Sequence, residues 1–329
     1  MIELEFMRQA EEESRILKVG EIVYDHLLSL RKEGKDYLIC PEHIGDTIWI
    51  CALACDYADT HDCDEVNMVV KDSHKEIAAS FPGVSEVIPL SDTEMNCLRR
   101  FIIYTGRYNN NHILYAHTHA IYSVGTSGFY TAQMVAEFMS LSMKESRRHI
   151  LGIPNDHMIT LKRMNCLDSG KDKDLHELFC SAVFFIPSMQ TQAGVIPDSI
   201  YSSLVDRYQR SGYECYTNYN NLGYERMIEG TKPLTCTLKE LAVIAPYFAQ
   251  VISVRSGAAD LVAQTEANLS VLYHNIDTKD KEAVIASPAE VGSQTVHDLV
   301  CREGIKEYIY VEGREEELAE AVFEQRRTR

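Results

Sequence analysis

No stretch of this sequence approaches the ~18 consecutive apolar residues that a membrane-crossing helix requires, so no transmembrane span is expected. The opening residues, Met1-Ile2-Glu3-Leu4-Glu5, are acidic and lack the basic and apolar regions of a secretory signal, which predicts a cytoplasmic protein. There is no Walker A pattern, no Gly-x-Gly-x-x-Gly and no Gly-x-Ser-x-Gly elbow. Their absence counts against kinase, dinucleotide-dependent dehydrogenase and serine-hydrolase chemistry. Positive charge is scarce: 32 Lys and Arg stand against 49 Asp and Glu, a formal net charge of −17. Such a surface repels polynucleotide backbones and anionic lipid, so no nucleic-acid partner is expected. The basic run Arg326-Arg327-Thr328-Arg329 is short and reads as a solvated tail, with peripheral membrane association left open.

Ten cysteines are present but no Cys-x-x-Cys, and their scatter from Cys40 to Cys301 offers no disulfide framework. Free thiols in a reducing compartment are the simpler reading. Cys51, Cys55, His61 and Cys63 fall close together in sequence. Their spacing matches no common zinc pattern, and the first two lie in an apolar helical run where small thiols pack well, so no metal site is expected.

The 329 residues suit two domains rather than one core. Residues 1–33 read as a helix. Strands are expected at 36–40, 66–70, 86–90 and 111–116, with helices over 47–57 and 75–80 between them. Beyond Gly152 the pattern fades through Pro154, Asp168-Ser169-Gly170 and a charged run, and 153–178 reads as a linker. The rhythm then restarts: strands at 182–186, 213–217, 250–254, 269–273 and 308–311, and helices at 198–211, 237–248 and after Gly257. The second of these opens on a Thr237…Glu240 capping box. A C-terminal helix follows from 314. Strand–helix alternation of this kind predicts parallel sheets with crossover helices. The expected division is a Rossmann-like domain over 1–152, a second over 179–312 and a terminal helix over 313–329, two doubly wound α/β halves facing across a cleft.

Open parallel sheets bind ligands outside the carboxyl ends of their strands, so the loops after strands are where chemistry is sought. After the first strand comes His43-Ile44-Gly45-Asp46-Thr47. The glycine, Gly45, permits close backbone approach and is a donor-side candidate. The Asp46 carboxylate is a candidate base, with His43 a second; the plainer alternative is that Asp46 caps the next helix. Trp49, one turn on, reads as core. In the second half, Ser253-Val254-Arg255-Ser256-Gly257 leads from a buried strand into a helix. There Arg255 with Ser256 and Gly257 suits a diphosphate, Ser253 is a further donor-side candidate, and Asp260 suits donor hydroxyls or the orientation of Arg255. The alternative is that Ser256 caps the helix and Arg255 pairs with a carboxylate. Ser188 and Thr191, in the hydroxyl-rich loop after 182–186, and Lys232 are weaker donor-side candidates. His117 and His119 are weaker acceptor-side candidates after the fourth strand.

The His43–Thr47 loop running into an apolar helix resembles the N-terminal Gly-Asp signature of the heptosyltransferase-like glycosyltransferases, family 9. Phe81–Leu90 is similar to their second-strand region, and Leu238–Asp260 to their donor-binding segment. Together these cover most of 36–275. The resemblance implies a GT-B fold with the donor held mainly by the second domain. It also implies inverting transfer of a sugar from a nucleotide-sugar donor to a glycan, lipid-linked or protein acceptor, with no cofactor and no obligatory metal. It maps the base onto Asp46 and the donor phosphates onto Ser256 and Gly257. The chain departs from the family in carrying Arg255 where an acidic residue is usual and Asp260 where a histidine is usual, which leaves the donor sugar open. Two other functions fit the same scaffold: a nucleotide-sugar epimerase and a non-catalytic nucleotide-sugar-binding protein.

Overall fold

The structure, a computed structural model, describes residues 2–30, 34–40, 43–110, 112–116, 141–167, 173–188, 196–223, 225–274, 285–286, 291 and 295–325. The chain divides into two compact units, Met1–Lys162 and Arg163–Arg329. The division falls inside the stretch 153–178 read as a linker.

In the first unit a long helix α1 (Ile2–Ser29) precedes β1 (Lys35–Ile39). Then follow α2 (Ile44–Ala52), α3 (Ala54–His61), β2 (Glu65–Lys71), a 3-10 turn (Asp72–His74) running into α4 (Lys75–Ala78), and β3 (Val84–Leu90). Helix α5 (Asp92–Thr105), the short β4 (Asn109–Asn110), β5 (Ile113–Tyr115) and α6 (Met143–Ile150) follow among the described residues. The sheet order is β3-β2-β1-β5-β4, parallel except for the β4–β5 pair. β1 and β2 are buried along nearly their whole length, as expected of strands covered on both faces by helices. Helices α1 and α5 share one core with β1 and β5, built from Tyr24, Leu27, Ile39, Leu98, Phe101 and Tyr115. Gly20 makes this packing possible: a Cβ there would meet the Cys97 carbonyl and lie 2.6 Å from Phe101 Cβ.

The second unit runs α7 (Lys173–Phe179), β6 (Ala182–Ile186), α8 (Asp198–Arg210), β7 (Glu214–Asn218), β8 (Lys232–Leu234) and α9 (Leu238–Ile244). It continues with β9 (Gln250–Val254), α10 (Gly257–Ala263), β10 (Leu269–Tyr273), β11 (Ile285–Ala286), β12 (Ile305–Ile309) and α11 (Glu315–Glu324). The sheet order is β11-β12-β10-β9-β6-β7-β8, and among the described residues only the β11–β12 pair is antiparallel. Leaving out β11, the chain lays three strands outward from β6 on one side. It then returns to lay β9, β10 and β12 on the other. This is the doubly wound dinucleotide-fold order, and its switch point lies between β6 and β9. The first unit repeats the device, with its switch between β1 and β5.

Several boundaries move from the sequence reading. The helix expected at 47–57 begins three residues earlier and breaks at Leu53, giving α2 and α3. Helices α5, α6 and α7 and strand β8 were unread, and α7 begins inside the stretch 153–178 read as a linker. The strand expected at 308–311 lies at 305–309, which brings Glu307 into the sheet. Among the described residues no helix is long and apolar enough to cross a membrane.

Candidate functional site

The first candidate site grows from the carboxyl end of β1. Strand order makes this a switch point, where neighbouring connections leave in opposite directions and open a crevice. His43, half-buried and extended (φ −108°, ψ 158°), is the N-cap of α2, yet its side chain forms no capping hydrogen bond. Gly45 is buried, and Asp46 occupies the third helical position. A carboxylate there is favoured by the partial positive charge of the helix start.

Asp46 does not cap the helix. Its Oδ1 accepts from Arg147 Nη2, brought in by α6 from 101 residues away. The Asp46 side chain is 21% exposed and that of Arg147 10%. Thr47, beside it, is fully buried, and its Oγ1 is hydrogen-bonded to His74 Nδ1 at 3.0 Å. This ties the turn after β2 to the start of α2. Burial of His74, aided by Lys71, pushes its pKa down to about 4, so the ring is neutral near neutral pH. The Cys40 thiol, buried at the end of β1, is driven well above its usual range by burial first, then by Cys51 and Asp46. It is an inert thiol. Cys51 is also buried and raised by burial. Among the described residues no group of three or more His, Cys, Asp or Glu side chains is arranged to hold a metal.

The second candidate site lies at the β6–β9 switch. Ile186 pairs with Ser253, so the loops leaving β6 and β9 are neighbours. Ser188 follows β6 by two residues, and its Oγ accepts the Arg226 backbone N–H at 3.0 Å. Ser253 is buried, its hydroxyl donating to the Val254 carbonyl at 2.9 Å. Ser256 caps α10, accepting the Ala259 N–H at 3.3 Å, and Gly257 is the first helical residue.

Arg255 turns inward. It donates to the Ser256 carbonyl at 3.0 Å and to Asp260 Oδ2 at 2.9 Å, with its side chain 13% and that of Asp260 3% exposed. Burial works against its charge, but Asp260, Tyr273 and Glu307 outweigh that and raise the guanidinium further. Glu307 is itself anchored, accepting from Tyr273 Oη at 2.5 Å, Thr295 Oγ1 at 2.8 Å and the Val296 N–H at 2.7 Å. The ends of β9 and β10, the interior of β12 and the 295–296 turn thus meet under the Arg255 turn. In this geometry Arg255 braces the Ser256–Gly257 backbone, and Asp260 orients it.

The structure therefore brings Ser188, Ser253, Arg255, Ser256, Gly257 and Asp260 to one switch point, and His43, Gly45 and Asp46 to the other. Lys232 joins neither. It opens β8, three strands from β9, and pairs with Glu214 at 2.8 Å. Thr191, His117 and His119 lie outside the described residues. The sequence reading missed Arg147, His74 and Glu307. None carries a local motif, since each is defined by a partner distant in sequence.

No family model and no curated protein matches the sequence. Solved structures do match its fold. The chain superposes on the Escherichia coli ADP-heptose lps heptosyltransferase II with a TM-score of 0.56 at 12% identity, covering 89% of this chain and 98% of that one. Against the E. coli heptosyltransferase WaaC with ADP the TM-score is 0.53 at 12% identity, over 88% and 97% of the two chains. Against a family 9 glycosyl transferase from Veillonella parvula it is 0.52 at 11% identity, over 89% and 92%. The fold is therefore the α/β, GT-B fold of the heptosyltransferase-like, family 9 glycosyltransferases, as the Gly-Asp loop and the Ser-Gly turn had led one to expect.

Proposed function

We propose that this protein is a glycosyltransferase. It moves a sugar from a nucleotide-sugar donor to a hydroxyl of a glycan, lipid-linked or protein acceptor, with inversion and without a metal. The observation that carries this reading is the placement of Asp46 at one switch point and the Ser256–Gly257 turn at the other, on a fold whose solved neighbours include a heptosyltransferase with ADP.

In this reading the second unit holds the donor. The backbone from Ser256 to Gly257, with Ser188 beside it, meets the diphosphate, while Arg255 and Asp260 keep that backbone in place. Asp46 accepts the proton of the acceptor hydroxyl as its oxygen bonds to the anomeric carbon. The bond from that carbon to the diphosphate oxygen breaks on the opposite face, and the nucleoside diphosphate leaves with the electron pair. His43, half-buried at the same helix start, is the second candidate for the proton. Lys232, held by Glu214, takes no part.

The test is a thermal-shift screen of nucleoside diphosphates and their sugars, ADP-heptose among them, followed by release of nucleoside diphosphate with Asp46→Asn beside the wild type. A ligand at 100 times its Kd stabilises by about 2.7 kcal/mol. Loss of a general base costs roughly 100- to 10,000-fold in turnover. Asp46→Asn turning over within a few-fold of wild type would remove Asp46 from the role of base. An epimerase would instead alter the sugar of the donor with no acceptor present.

A further inference from the structure

Arg147 reaches the first switch point from α6, and the resemblance does not account for it. We infer that Arg147 is a positioning residue for Asp46, fixing the orientation of the carboxylate that takes the acceptor's proton; the inference rests on the reading of Asp46 as base.

The case begins with cost. An arginine whose side chain is 10% exposed has surrendered most of its hydration, and the Asp46 side chain at 21% exposure has given up much of its own. Ion pairs withdrawn from water in this way seldom add net stability, and replacing both partners by apolar groups is often neutral or favourable. What such a pair supplies is direction. The planar guanidinium offers its donors in fixed directions, and here Nη2 anchors the carboxylate at Oδ1, more narrowly than a mobile ammonium would.

The support under Arg147 is stiff. Ser142 caps α6, its Oγ accepting the Glu145 N–H at 3.2 Å. The next residue, Arg148, grips the chain leaving the helix. Its Nη2 donates to the carbonyls of Pro154 and His157, both at 2.6 Å, its Nε to Pro154 at 3.1 Å, and its Nη1 to Glu145 at 3.2 Å. That departing segment is tied in turn to α3. Asp56 accepts the Thr160 N–H at 3.0 Å and lies 3.0 Å from His157 Nε2. Two adjacent arginines therefore act in concert, Arg148 locking the helix and Arg147 presenting its fork from it. Functional groups carried on a helix and fixed by such supporting bonds hold their geometry better than groups on loops.

Chemically, Arg147 binds Asp46 through Oδ1. The remaining lone pairs of the carboxylate are left for the proton that leaves the acceptor hydroxyl. The guanidinium keeps its hold through Oδ1 while Oδ2 receives the proton, so the carboxyl group does not swing away between substrate binding and transfer.

The experiment uses the full chain with Arg147→Gln, Arg147→Lys, Asp46→Asn and the Arg147→Gln/Asp46→Asn double variant. In the ligand-free protein the Asp46 side-chain 13C-carboxyl resonance, assigned by its loss in Asp46→Asn, is expected to move in Arg147→Gln. An unmoved resonance overturns the inference. With whichever sugar nucleotide of the panel turns over, Arg147→Gln is expected to lower kcat by about 10- to 100-fold, the worth of one hydrogen bond to a charged group, and leave the donor KM within two-fold. Arg147→Lys recovers part of that loss, and so does added guanidinium ion. In the Asp46→Asn background the Arg147→Gln change has no further effect.

Full activity in Arg147→Gln, or an equal loss in both backgrounds, overturns the inference while leaving Asp46 as base. Full activity in Asp46→Asn overturns the reading of the base itself. Absence of turnover with every sugar nucleotide overturns the transferase reading and the catalytic part of the inference together, and the carboxyl resonance then decides whether Arg147 fixes Asp46.

Discussion

Acidification should loosen the first switch point through His74. The ring is buried against α2, hydrogen-bonded to Thr47 Oγ1, and its pKa lies at about 4 against 6.5 for a free histidine. Burial is the main cause, with Lys71 and His43 also opposing a charge on the ring; Asp92 and Asp46 favour that charge but do not compensate. Between these two values the unfolded chain binds a proton that the folded chain refuses. The folded state is then penalised progressively as pH falls from 6.5 toward 4, and the stability present above pH 6.5 is lost. The full difference is worth about 3 kcal/mol. That is a large share of the roughly 5–15 kcal/mol that holds a domain together.

His74→Gln keeps a polar atom near Thr47 but cannot titrate. Urea unfolding of both proteins between pH 7.5 and pH 4.5 is expected to show the wild type losing about 2 kcal/mol more than the variant. The His74 ring signal should stay neutral by NMR at pH 5.5, well below the 6.5 of a free imidazole. Parallel pH dependence in the two proteins, or a His74 ring that titrates near 6.5, would refute the reasoning. Because Thr47 directly follows Asp46, the same protonation is expected to lower turnover before the unit unfolds.

Two further predictions concern the cores. Gly20→Val drives a side chain into the Cys97 backbone where α1 crosses α5, and is expected to cost about 1–3 kcal/mol, read as a lowered Tm. Gln250→Leu removes the acceptor of Tyr208 Oη (2.6 Å) and the donor to Ser270 Oγ (2.7 Å) and to the Val322 carbonyl (3.0 Å), all buried. It is expected to lower the urea midpoint by an amount worth about 1–3 kcal/mol, although leucine is the more apolar residue.

What was legible follows from what leaves a local trace. Strands β6, β9 and β10 are buried at every residue, β6 as a continuous apolar run and the other two apolar but for Gln250, Ser253 and Ser270, and each was placed to the residue. The Thr237–Glu240 capping box announced α9. The same box stands at Ser91–Glu94 and opens α5, but the half-exposed β3 before it made a weak frame, and the helix went unread. The start of α2 was misplaced because Gly45, buried and helical, looks like a loop residue in sequence. Its break at Leu53 was hidden because apolar residues continue on both sides.

The candidate sites divide along the same line. Loops after strands can be found from the strands alone, so Asp46 and the Ser256–Gly257 turn were found. The state of their charged groups could not be, because burial sets it. Arg255 was read as a grip for phosphate from its position at a strand end, with pairing to a carboxylate as the alternative, and within the fold Asp260 and the Ser256 carbonyl hold it. The same logic reassigns the electrostatics of the whole turn. In the proposed reading, a guanidinium whose Nη1 is spent on Asp260 and on its own turn leaves the donor's charge chiefly to backbone N–H groups and to Ser188. Arg255 then matters for the shape of the turn. Substituting it should weaken nucleotide binding in step with the loss of order in α10, with no change in the salt dependence of binding that removal of a direct phosphate contact would bring.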